Sequence, residues 1–97
     1  MGSTGAYVRD EDFEWDDRKA ASNIVKHNVS FDTARFAFDD PDHLEFDDPD
    51  PDELRYHRIC LHGLDLYVVI YTERHTRIRI ISARRANTYE QHLYEDR

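Results

Sequence analysis

Two periods of apolar side chains divide the chain. Between residues 17 and 38 they recur every three or four positions, and from residue 54 to 85 every second one. DRKAASNIVKH predicts a helix, with Asp16 as its N-cap and Asn28 as the left-handed residue after its end. Ala20, Ala21, Ile24 and Val25 fall on one face of it, and Lys19, Asn23 and Lys26 form a polar stripe on another. A second helix follows, capped by Ser30. Phe31, Ala34, Ala37 and Phe38 form its apolar face, and Asp39-Asp40-Pro41 stops it. Phe13 to Trp15 and Leu44 to Phe46 read as short strands, the latter at a sheet edge. Longer strands run from Arg55 to His62, Leu66 to Thr72 and Arg77 to Ala83, with turns at Gly63 and over Glu73 to Thr76. The middle strand is apolar on both faces, as a central, covered strand should be. Asn87, with Glu90 three positions on, caps a closing helix that carries Tyr89, Leu93 and Tyr94. The fold class expected is α+β: two N-terminal helices, an antiparallel sheet of three to four strands, and a C-terminal helix.

A chain of 97 residues predicts one domain, placed at residues 13–97 behind a flexible leader at residues 1–12. Cys60 is a lone cysteine in a strand and reads as a buried small hydrophobe. No secretory or membrane-spanning segment is visible, which points to the cytoplasm. The formal net charge is −8, which by itself disfavours a polyanionic partner. Its distribution changes that picture. Residues 1–54 hold 5 basic and 16 acidic side chains, whereas residues 55–89 hold 7 basic and 2 acidic. With a Debye length of about 8 Å in the cell, an anion meets the local charge rather than the total.

Several chemistries are missing. The six histidines form no H-E-x-x-H pair, and with one cysteine there is no C-x-x-C pair, so no metal site is read. Three glycines cannot supply dinucleotide or P-loop signatures, and no serine sits in a nucleophile elbow. The nine acids of residues 39–53 lack the central glycine and closing glutamate of a calcium loop, and read as a solvated loop. No cofactor is expected. What remains is arginine, lysine, histidine, tyrosine and glutamate, a set suited to metal-independent cleavage of RNA. That reaction needs a base for the 2′-hydroxyl, cations for the phosphate and an acid for the leaving oxygen. The same arginines also fit a solvated sheet face, or partners for the acidic loop.

FEWDDRKAASNIVKHNVSF, then FDDP, then YTERHTRIRIISARRA with a glutamate and a tyrosine in the closing helix, resembles the BrnT toxins of type II toxin–antitoxin systems. The likeness runs from about Phe13 to Tyr94. It implies a RelE-like ribonuclease that inhibits translation. It further implies a BrnA-type ribbon-helix-helix antitoxin, operator DNA reached through that antitoxin, and a homodimer within the complex. A catalytically inactive module that binds an antitoxin and co-represses its operon is the alternative. Carried over by position, His27, Arg74, Arg79 and Arg84 are the expected catalytic residues, and Lys19, Lys26, Arg55 and Glu73 the expected RNA contacts. Asn28 replaces the usual glycine. Arg79 and Arg74 are read as phosphate clamps, Arg84 as a third cation, and His27 either as the acid or base or as a helix C-terminal cap. Arg58, Arg77, His57 and His75 match no pattern position.

Overall fold

The computed structural model describes residues 7–9, 12–48 and 54–97. Nine elements follow in order: β1 (Tyr7–Arg9), β2 (Phe13–Asp16), α1 (Asp17–His27), α2 (Phe31–Ala37), β3 (Leu44–Asp47), β4 (Tyr56–His62), β5 (Asp65–Arg74), β6 (Arg77–Arg85) and α3 (Thr88–Glu95). The strands form one sheet in the order β1-β2-β6-β5-β4-β3. Strands β2 to β6 make up its body, and the three-residue β1 extends one edge.

This corrects the expected fold. The sheet is mixed, because β2 pairs parallel with β6, matching Phe13 to Ile78 and Glu14 to Arg79. Strands therefore precede the two helices, instead of following them as an antiparallel sheet of three to four strands. The reason is the burial of a short run: Phe13, Glu14 and Trp15 are all under 9% exposed, and a run buried on both sides needs a sheet neighbour. Of the leader expected over residues 1–12, residues 7–9 pair with β2, while residues 1–6, 10 and 11 lie outside the described residues. So do residues 49–53 of the acidic loop. Asp48 N–H donates to Arg55 O at 2.9 Å where the described chain meets that segment.

Local chemistry sets the helix ends as expected. Asp16 accepts from Arg18 N and Lys19 N, Ser30 accepts from Thr33 N, and Asn28 adopts φ 56°. Asn87 and Glu90 complete a capping box on α3. The expected turn over Glu73 to Thr76 is shorter, because β5 runs on to Arg74 and His75 carries the left-handed φ of 59°.

Two clusters sandwich the sheet. One lies under α1 and α2, built from Phe13, Trp15, Phe31, Phe38, Tyr71 and Ile80 among others. Trp15 packs edge-on against Phe31 at 5.9 Å, so its ring is core and not a surface for stacking a base. The other is smaller and lies under α3: Ile59, Val68, Ala86 and Tyr94.

Helix α1 does not bury the face its apolar spacing predicts. Ile24 and Val25 are 48% and 87% exposed, whereas Asn23 is 5% exposed. Asn23 docks the helix on the uncovered edge of β6. Its amide donates to Ala83 O at 2.7 Å and to Val29 O at 2.9 Å, and its oxygen accepts from Ala83 N at 3.2 Å. One side chain thus does for Ala83 what a neighbouring strand would do.

Candidate nucleic-acid interface

In a regular strand Arg79 and Arg84, five residues apart, would point to opposite faces. Between them β6 carries an irregularity: Ile70 pairs with Ser82 and Tyr71 with Ile80, so Ile81 is an extra residue. The cross-strand partners of Arg77, Arg79 and Arg84 are Arg74, Thr72 and Val68, all even-numbered on an unbroken β5. Paired residues share a face, so Arg74, Arg77, Arg79 and Arg84 lie on the side where α3 packs. Helix α3 covers only the Val68 end of that face, and the end bearing Arg74, Thr72 and Arg79 extends beyond that cluster.

These arginines are not equivalent. Arg79 Nη1 lies 2.9 Å from Glu14 Oε2, and both side chains are largely buried. Arg84 meets Glu90 through two parallel bonds of 2.8 Å. That fork holds the Glu90 carboxyl below its usual range against the opposing effect of burial, and it raises Arg84. Arg74 is exposed beside the β5–β6 turn.

The α1 residues meet elsewhere. Lys19, Ser22, Lys26 and His27 line a cleft of about 240 Å³ together with Asn23, Ile81 and Ser82. The i, i+4, i+7 stripe supplies one wall and the irregular part of β6 the other. Because Asn23 is engaged with the backbone of β6, Lys19 and Lys26 are the members of that stripe left open to the cleft, with His27 beside them. They are exposed, and neither lysine makes an ion pair among the described residues.

Among the predicted residues, then, the fold gathers Lys19, Lys26 and His27 in one cleft, and Arg74, Arg79 and Arg84 on one sheet face. Ser82 joins them, since it lines the cleft and pairs with Ile70 in the same ladder. Two residues stand apart. Glu73 pairs with Ile78, on the side facing α1 and α2. Arg55 precedes β4 and lines neither the α1 cleft nor the cleft beneath α3.

Sequence reasoning passed over His57 and Glu90. His57 Nε2 lies 2.6 Å from Asp48 Oδ2, and its pairing with Ile70 sets it on the arginine face. The alternation of His57 with the buried Ile59 carried that signal. Glu90 was legible as half of a capping box, though not as the partner of Arg84.

Among the described residues no group of three or more His, Cys, Asp or Glu side chains is placed to hold a metal. Among the described residues no helix is long and apolar enough to cross a membrane. No curated protein gives a match. The family model for "Ribonuclease toxin, BrnT, of type II toxin-antitoxin system" matches residues 15–90, which include the α1 cleft, all four sheet arginines and Glu90. The chain belongs to the BrnT family of ribonuclease toxins of type II toxin–antitoxin systems.

Proposed function

We propose that this protein cleaves RNA by a metal-independent transesterification centred on the α1 cleft and the adjoining arginine face. The observation that carries the reading is the meeting of Lys19, Lys26 and His27 in one exposed cleft beside Ser82. His27 takes the proton from a 2′-hydroxyl. The freed oxygen attacks the adjacent phosphorus, the bond to the 5′ oxygen breaks, that oxygen takes a proton from solvent water, and a 2′,3′-cyclic phosphate forms. Lys19 and Lys26 hold the non-bridging oxygens as charge builds, and Arg74 and Arg79 bind the flanking backbone. Cleavage of this kind would inhibit translation. A BrnA-type ribbon-helix-helix antitoxin covering the basic surface would relieve it, carry a toxin homodimer to operator DNA, and bind more weakly as salt rises.

The test is purified protein with RNA in EDTA, beside Lys26→Ala and His27→Ala. Cleavage by the parent and a loss of about 100-fold or more in the His27 variant support the reading. Intact RNA, or cleavage that survives both changes, refutes it. Arg79→Ala is a poorer control, because it strands the buried Glu14 carboxylate.

A second reading has its own support. Arg79 and Arg84 are each tied to a carboxylate, which suits an inactive module whose arginines only brace the sheet. RNA left intact while the antitoxin still binds would select it.

A further inference from the structure

A second cleft, of about 230 Å³, lies on the arginine face beneath the first turn of α3. Its floor is apolar, formed by Ile59 and Val68, both at most 1% exposed. Its rim is not. Phe46 and Tyr89 stand there 43% and 70% exposed, large aromatic rings left in water. Between them are one carboxylate, Glu90, and one imidazole, His57. Both polar groups are held in place. The Arg84 fork and the N-cap amide of Asn87 fix Glu90. Asp48 holds His57 through Nε2, and Nδ1 has no hydrogen-bond partner among the described residues. An apolar slot with a few convergent, oriented polar groups is the usual form of a ligand site.

We propose that this cleft takes one unstacked nucleobase of a bound RNA strand, a reading that rests on the ribonuclease activity proposed above. Size favours a single base. The cavity is below the roughly 300–1,000 Å³ of drug-sized sites, too small for a helix face and suited to one flat ring system. The chemistry matches as well. Bases splayed from a single strand stack on Tyr and Phe rings and offer their edges to polar side chains. Glu90 accepts only, so the edge it meets donates N–H groups. Position supplies the third argument. His57, Ile70 and Ser82 stand in one row across β4, β5 and β6, so the base cleft and the Lys19–Lys26–His27 cleft are two strand spacings apart, about 10 Å. A short strand with its phosphate in the lysine cleft reaches the aromatic rim with a neighbouring base.

Binding of nucleoside 5′-monophosphates, measured against ribose 5-phosphate by NMR titration, tests this without requiring cleavage. The nucleotides should bind about ten-fold or more tighter than the sugar phosphate, since stacking adds that much per base. Tyr89→Ala should remove the difference, whereas Tyr89→Phe, which keeps the ring, should preserve it. Tyr89 is mostly exposed, so truncation spares the core. Equal affinities for nucleotide and ribose phosphate in the parent, or an advantage that survives Tyr89→Ala, overturn the assignment. The two proposals fail separately. Base-dependent binding without RNA cleavage sinks the nuclease alone, and cleavage by a protein indifferent to the base sinks the cleft alone.

Discussion

Asn23→Ala should be among the most damaging polar truncations in this protein. The side chain makes four hydrogen bonds: to Ala83 O at 2.7 Å, Val29 O at 2.9 Å, Ala83 N at 3.2 Å and Ser82 Oγ at 3.2 Å. Ala83 is 0% exposed and Val29 3%, so three backbone groups lose their partner in places water reaches poorly. Each such loss costs about 1–3 kcal/mol. The sum is an overestimate, because Asn23 borders the open α1 cleft and water can follow the truncated side chain into part of the gap. A net loss of about 2–4 kcal/mol is expected, against a total stability of about 5–15 kcal/mol for a domain this size. Tm should fall by about 10–30 °C. Asn23→Asp keeps the shape and reverses the pattern, setting a carboxylate against two carbonyl oxygens. It should cost at least as much at neutral pH. Burial raises the pKa of that carboxyl in the folded state, so part of the deficit should return as pH falls and the group protonates. Urea denaturation at pH 7 and pH 5 measures both, with an unchanged m-value confirming a native-state effect. If both variants lie within about 0.5 kcal/mol of the parent, Asn23 does not complete the edge of β6 and the account of how α1 docks is wrong.

Three further outcomes follow from the same geometry. Cys60 is 0% exposed and burial pushes its thiol up to about 12, so it should resist alkylation at pH 8 and react fully in urea; prompt labelling of the native protein would contradict its place in the core. The fork from Arg84 depresses Glu90, so its contribution is present above the ordinary carboxylate range and is lost as pH falls through the lower folded value; acid titration of Glu90→Gln by circular dichroism should lack that part of the parent's loss below about pH 4.5. Lys26 makes no ion pair among the described residues, so Lys26→Gln should reduce the log–log salt slope of RNA binding by about 0.7, read by fluorescence anisotropy, and an unchanged slope would remove it from the phosphate path.

Capping was the most legible part of this fold, because a cap is a local event written in two or three adjacent residues. Asp16, Ser30, Asn28 and the Asn87–Glu90 box needed no tertiary knowledge. What could not be read depends on partners far along the chain. The parallel pairing of β2 with β6 joins Glu14 to Arg79, 65 positions apart, and nothing in FEWD announces it. The amphipathic pattern of α1 pointed the wrong way for a related reason. Its buried residue is polar, because the edge of β6 offers unpaired backbone groups instead of an apolar surface. Strand alternation sets Arg77 and Arg79 on one face but fails beyond Ile81, where one extra residue returns Arg84 to that face. At the site, spacing within α1 was enough to gather Lys19 and Lys26, with His27 at the helix end. The His57–Asp48 contact was hidden, because it requires β4 and the end of β3 to be in register.

The carboxylates on the arginine face bear on how an acidic chain can bind RNA at all. Arg79 with Glu14 and Arg84 with Glu90 are neutral pairs, so a phosphate approaching them meets oriented N–H groups and almost no net charge. The Arg84 fork engages Nη1 and Nη2, and the Arg79 pair engages Nη1. Such a pair positions but attracts weakly, and the desolvation already spent on it does not have to be spent again when the ligand arrives. On the proposed reading the attraction comes from cations that make no ion pair among the described residues: Lys19 and Lys26 in the α1 cleft and Arg74 beside the β5–β6 turn. Division of labour on this pattern would reconcile a net charge of −8 with the proposed RNA substrate. On the proposed reading an RNA strand would be drawn by those cations and aligned along the sheet by arginines already paired with carboxylates.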